Sequence, residues 1–160
     1  MVNDVEIVAE VGSNHGRNLE RALDLITVAA KCGVDTIKFQ LFTADTLWRK
    51  DDYRWLVTKD LELPPQWIPK LQSQCKEDGV SFLCTPFSIV ALEILESNNV
   101  ERYKIASGDI TYKPLISLIG TLRKPVILSA GFSTMTEVDQ ALNWLSRSGP
   151  SPKITLLHCV

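Results

Sequence analysis

Short apolar runs rich in β-branched residues alternate along this chain with longer stretches whose apolar residues recur at helical spacing. The runs predict strands over residues 5–11, 36–40, 80–84, 102–106, 125–130 and 153–159. Between the first two, Asn18 is placed to cap a helix with Leu19, Ala22, Leu23, Ile26 and Ala30 on its apolar face, and Gly33 stands where that helix should end. A second helix is predicted over 65–78, with prolines in its first turn and Gly79 after its end. Ser88 can cap a third, running through Ala91, Leu92 and Leu95 to an Asn98-Asn99 stop. A fourth covers 112–122. Thr134-x-x-Glu137 is a capping box for a fifth, whose face carries Val138, Ala141, Leu142 and Leu145.

Five βα units followed by a sixth strand imply a parallel sheet covered by helices. Two architectures compete, an open doubly wound sheet and a (β/α)8 barrel. An open nucleotide-binding sheet would carry GxGxxG after its first strand, and that fingerprint is absent. Polar residues instead recur at the C-terminal ends of the strands: Glu10 and Asn14, Lys38 and Gln40, Thr85, Lys104, Ser107 with Asp109, and Ser129. In barrels that end carries the active site. A closed barrel typically takes about 250 residues, whereas this chain has 160 and ends on Cys159-Val160 as the sixth strand finishes. The fold expected is therefore α/β, a TIM-type (β/α)8 barrel left incomplete at about six βα strands, with residues 1–160 forming one part of it.

Composition narrows the function classes. An apolar share of 45% and a charged share of 22% are those of a soluble globular protein. A net charge of −2 offers no electrostatic footprint for nucleic acid or an anionic membrane. The start MVNDVEIVAEV has neither a basic n-region nor a long apolar core, so no signal peptide is expected. Cys32, Cys75, Cys84 and Cys159 show no metal-like spacing, and each sits in or beside an apolar run. They are expected to be reduced and structural, in a cytoplasmic protein.

Candidate chemistry begins with two lysines. Strand alternation puts Lys38 and Gln40 on one face, and Lys104 is a cation inside the apolar run Tyr103-Lys104-Ile105. Either lysine could snorkel to the rim or pair with Glu10 or Asp109. Taken with Thr85, Ser107 and Ser129 at neighbouring strand ends, they favour an anion site. Ammonium groups plus hydroxyls suit a phosphate or carboxylate. Ser107-Gly108-Asp109 alone reads as a capped turn. His15 reads as a surface or capping residue, and His158 as a core or rim histidine. No triad order or metal-ligand spacing stands out.

The pieces AEVGSNHG, IKFQ, FLCTPFS, YKIASGDITYKPL, KPVILSAGFST and LLHC, in this order and spacing, resemble the N-acetylneuraminate (sialic acid) synthases and their relatives that make legionaminic and pseudaminic acids. The resemblance covers essentially the whole chain. It implies condensation of phosphoenolpyruvate with an N-acylated amino sugar such as N-acetylmannosamine, in a metal-dependent barrel. By the same resemblance Lys38, Thr85, Lys104, Ser107 and Ser129 hold phosphoenolpyruvate. Gln40 and Asp109 contact the sugar, and Glu10 lies near the reacting carbons. The divalent metal (Mn or Mg) expected for the full-length family enzyme takes its ligands from strands beyond Val160, so no metal ligand is expected in this chain. The resemblance also implies an antifreeze-like C-terminal domain, which reaches across to a partner's active site in family dimers and is not expected within residues 1–160. One departure is local: the first loop usually reads Asn-His-x-Gly, and here Gly16 follows His15 directly while Arg17 takes the usual glycine position.

Two other classes compete with a synthase whose isolated N-terminal part is inactive. A Schiff-base aldolase of similar fold would use Lys38 or Lys104 as its nucleophile. A non-catalytic phosphate- or sugar-acid-binding fragment, or a pseudoenzyme, would bind phosphoenolpyruvate without releasing phosphate.

Overall fold

The computed structural model describes residues 5–147, 149 and 151–159, so the expectations that touch the extreme N-terminus and Val160 lie outside the described residues. Six strands follow one another in the sheet in the order in which they occur in the chain, with β1 and β6 at its two ends. Helices alternate with them, giving the parallel α/β architecture that the periodicity implies. The order is open, as expected for an incomplete barrel. The chain divides into two compact units, Met1–Cys84 and Thr85–Val160.

In the first unit, β1 (Val8–Gly12) pairs in parallel with β2 (Thr36–Leu41), and Glu10 stands opposite Lys38. The register shifts between Glu10 and Gly12, a bulge that the left-handed φ of Gly12 (56°) accommodates. Helix α1 (Leu19–Lys31) joins them. Its first turn is satisfied by Asn18, whose Oδ1 accepts from the Arg21 N–H at 3.0 Å, and the chain leaves it through Gly33 at φ 82°. Ala22 and Ile26 of α1 are buried, and the helix packs against α4 (Ile68–Glu77), which buries Ile68, Leu71 and Cys75. A 3₁₀ turn at Pro65–Trp67 precedes α4, so the helix expected over 65–78 is two pieces. Strand β3 (Ser81–Pro86) begins in this unit and ends in the second.

Two helices interrupt the β2-to-β3 connection that the hydrophobic pattern does not predict. These are α2 (Ala44–Leu47) and α3 (Tyr53–Lys59). α3 buries none of its residues, so it carries no apolar stripe to read. Side-chain bonds hold this excursion instead. Trp48 Nε1 donates to Thr58 Oγ1 (2.9 Å), and Arg54 lies 3.8 Å over the Trp48 ring. Buried Glu62 accepts from the Ala44 N–H (2.8 Å) and from Lys59 Nζ (3.0 Å).

The second unit contains α5 (Ile89–Ser97), β4 (Tyr103–Ile105), α6 (Lys113–Leu122), β5 (Val126–Ser129), α7 (Met135–Ser146) and β6 (Ile154–Leu157). Ser88 caps α5 through the Ala91 N–H, and Thr134 and Glu137 form the capping box of α7. Strands β4, β5 and β6 are parallel neighbours. Lys104 stands beside Ile127, and Ser129 beside Leu157. Leu115, Ile116 and Ile119 of α6 and Val138, Ala141 and Leu145 of α7 are buried, each large side chain contributing about 2 kcal/mol or more. Gly120 lets the two helices touch, since a Cβ there would sit 2.5 Å from the Leu145 carbonyl oxygen.

Three expectations are corrected. His15, expected as a surface or capping residue, is not on the surface: it is wholly buried, its ring packed edge-on against Trp67 (centroids 5.9 Å apart). Of the core or rim placement expected for His158, the core half is overturned, since the residue, just past β6, is exposed. Cys32, at the C-cap of α1, is exposed as well. No described helix is long and apolar enough to cross a membrane.

Candidate functional site

In the first unit, Glu10, Lys38 and Gln40 are brought together. β2 buries Ile37, Phe39 and Leu41 on one face and carries buried Thr36 with half-buried Lys38 and Gln40 on the other, so alternation orients the last two as expected. Lys38 Nζ forms an ion pair with Glu10, and Gln40 Nε2 donates to Glu10 Oε1 at 2.8 Å. The carboxylate lies over Gly12, where a Cβ would come within 3.0 Å of Oε1. Glu10 is thus an exposed carboxylate held by a cation and an amide, able to face positive charge or orient a water.

The loop after β1 departs from the expected turn. Gly16 and Arg17 both have left-handed φ values, 53° and 56°, so arginine occupies a conformation that favours glycine. The Arg17 N–H donates to His15 Nδ1 at 3.0 Å, which puts the imidazole proton on Nε2. Burial, and secondarily the Arg21 charge, hold the His15 pKa below its ordinary value. The ring is a neutral fixture of the loop.

In the second unit, Lys104 is only 7% exposed. Its Nζ donates to the Ile105 carbonyl (2.7 Å) and to Ser129 Oγ (2.5 Å), linking the ends of β4 and β5. Ser107 begins the 3₁₀ turn Ser107–Asp109 that leaves β4, and its Oγ accepts from the Gly131 N–H at 3.0 Å. Asp109 closes that turn. Burial pushes its carboxyl up to about 6 against the opposing pull of Lys104, and its Oδ2 is buried without a hydrogen-bond partner among the described residues. Thr85, near the end of β3, is buried.

Two residues of this cluster escaped the sequence reading. A Cβ on Gly131 would lie 3.0 Å from Ser107 Oγ and 3.2 Å from the Cys159 Cβ, so a side chain there would have to push these neighbours back by a few tenths of an ångström. Cys159 was read as a small hydrophobe, yet it is partly exposed, and its thiol donates to the Leu157 carbonyl at 3.7 Å. Its place just past a strand end, where the other polar residues cluster, was the available signal. Cys75 and Cys84, by contrast, are buried, and none of the four cysteines is in a disulfide among the described residues.

Among the described residues, no group of three His, Cys, Asp or Glu side chains could hold a metal ion. The donors present do not fit the divalent metal that the family resemblance implies.

The NeuB family profile matches residues 25–160. The chain is 36% identical over 168 residues to N,N'-diacetyllegionaminic acid synthase of Campylobacter jejuni, covering 96% of this chain and 50% of that protein. It is 34% identical over 167 residues to the spore coat polysaccharide biosynthesis protein SpsE of Bacillus subtilis, covering 98% and 44%. The crystal structure of N-acetylneuraminic acid synthetase from Leptospira borgpetersenii, in complex with citrate, superposes with a TM-score of 0.93 at 31% identity, over 99% of this chain and 55% of that one. The chain thus spans about half the length of its curated relatives. It belongs to the NeuB family.

Proposed function

We propose that this chain is the N-terminal part of a nonulosonic acid synthase that condenses phosphoenolpyruvate with an N-acylated amino sugar and releases phosphate. The observation that carries the reading is buried Lys104 bonded to Ser129 at the ends of β4 and β5, with Ser107 beside Gly131, in a chain of the NeuB family. The relatives named as legionaminic, pseudaminic and N-acetylneuraminate-9-phosphate synthases support the reaction class.

In this reading Lys38, Thr85, Lys104, Ser107 and Ser129 hold phosphoenolpyruvate. C3 of phosphoenolpyruvate attacks the sugar aldehyde, and positive charge develops at C2. Glu10 stabilises that charge or orients the water that adds there. The tetrahedral adduct then expels phosphate, and preorganised ammonium and hydroxyl donors stabilise the departing group. Gln40 and Asp109 contact the sugar. The divalent metal takes ligands outside this chain, so no step is assigned to it here. The complete protein is read as a cytoplasmic homodimer. A Schiff-base mechanism is disfavoured, because Lys38 is engaged by Glu10 and Lys104 by Ile105 and Ser129.

Titration calorimetry tests the reading. The chain should bind phosphoenolpyruvate saturably, inorganic phosphate should compete, and Lys104→Met should abolish both heats. With N-acetylmannosamine and Mn²⁺ added, the isolated chain should release no phosphate. Absence of phosphoenolpyruvate binding would sink the reading, and phosphate release by this chain alone would overturn the expectation that it is inactive.

A further inference from the structure

Two residues tie the loop after β1 to the connection between β2 and β3. Arg17 Nη1 donates to the carbonyl of Lys59, the last residue of α3, at 3.3 Å. The buried His15 ring packs on Trp67 of the 3₁₀ turn before α4. Arg17 stands in the left-handed region, at the position where the family loop usually has glycine, and its N–H is held there by His15 Nδ1 at 3.0 Å. All of these residues lie in the first unit. The two connections they join follow the strands that carry Glu10, Lys38 and Gln40.

The Arg17 bond exists in one protonation state only. Neutral His15 offers a lone pair at Nδ1, whereas an imidazolium presents N–H groups at both nitrogens. A proton on Nδ1 would meet the Arg17 N–H, donor against donor. Nε2 is enclosed with no hydrogen-bond partner among the described residues, so that edge of the ring has nothing with which to share a charge. From α1, Arg21 adds like charge, its Nη1 lying 3.7 Å from where a Cβ on Gly16 would stand. From α3, the Lys59 ammonium is turned to Glu62, and Trp67 brings no charge. We propose that the His15–Arg17 contact is a pH-sensitive latch: the neutral ring locks the loop after β1 onto α3 and the turn before α4, and a proton taken up from solvent at Nδ1 breaks the Arg17 bond and frees the loop. The latch stands on the first unit alone and holds whichever substrate the protein takes.

NMR of the 160-residue chain tests this, following the His15 ring signals and the protection of the Arg17 amide against solvent exchange as the pH is lowered from neutrality. At neutral pH Nδ1 should carry no proton, and the ring should titrate below the ordinary 6.5, as burial and the Arg21 charge require. Arg17 protection should fall about tenfold for each pH unit as the ring takes up its one proton, while the amide of buried Ile26 in α1 stays protected. His15→Asn places a non-titrating oxygen near the Nδ1 position and should keep Arg17 protected throughout. His15→Phe keeps a ring against Trp67 without an acceptor and should leave Arg17 unprotected at every pH. The measurements on the unaltered chain decide the matter even where a variant does not fold. A proton on Nδ1 at neutral pH overturns the latch, as does a ring that titrates while Arg17 protection stays constant. Loss of protection at Ile26 together with Arg17, or equal loss in His15→Asn, also overturns it, since the chain would then be unfolding as a whole or opening without His15.

Discussion

The Lys104 ammonium and the Ser129 hydroxyl meet at 2.5 Å across adjacent strands, 25 residues apart in the chain. A buried ammonium must keep its acceptors, so the hydroxyl supports the fold as well as any ligand. Ser129→Ala should lower stability by about 1–3 kcal/mol. Urea unfolding would record this as a lower midpoint at unchanged slope. An unchanged midpoint would show that the Ile105 carbonyl and the remaining surroundings satisfy the charge without Ser129.

Asp109 sets a pH dependence whose sign is opposite to that of most carboxylates. Burial raises its folded pKa to about 6, above the ordinary 3.8. Between those values the native state keeps a proton that the unfolded state has released, so this group's contribution to stability falls as pH rises through the window and stays lost above it. Asp109→Asn should therefore stabilise the chain at neutral pH and make little difference near pH 4. Thermal midpoints of both proteins across that range decide the matter. A difference independent of pH would remove the assignment.

At Gly120 the close approach of α6 and α7 leaves no space for a methyl group, because the obstruction at 2.5 Å is the Leu145 backbone and cannot rotate away. Alanine is the better helix former by about 1 kcal/mol, yet overpacking should win. Gly120→Ala should destabilise the second unit by roughly 1–3 kcal/mol, seen as early loss of hydrogen-exchange protection in α6 and α7. Unaltered protection would mean that the helices part at little cost.

Phe132 follows Gly131 with φ at 57° and its ring wholly exposed. The side chain therefore contributes strain and no packing. Phe132→Gly should raise stability by about 0.5–1 kcal/mol, detectable as a rise of a few degrees in the thermal midpoint. A fall would reveal packing of the ring in solution.

The elements readable from sequence are those whose ends carry chemistry. Asn18, Ser88 and the Thr134–Glu137 pair marked helix starts, and Gly33 and Asn99, both left-handed, marked stops. α2 and α3 were not readable, because Trp48, Arg54, Trp55 and Glu62 hold that segment by polar and ring contacts that leave no periodicity. In the candidate site, Lys38 and Lys104 stood out as cations in apolar strands. The burial of His15 depends on Trp67, more than 50 residues away, and nothing local announces it. The tight place of Gly131 was hidden for a similar reason, since Ser107 and Cys159 crowd it from distant points in the chain.

The Ser107 oxygen already accepts from the Gly131 N–H, and the Ser129 oxygen already accepts from Lys104. Each hydroxyl keeps one hydrogen and one lone pair beyond those bonds. It can turn to give to an ionised oxygen or to receive from a protonated one. The fixed charge of the Lys104 ammonium, rather than the hydroxyls, therefore favours the more ionised guest.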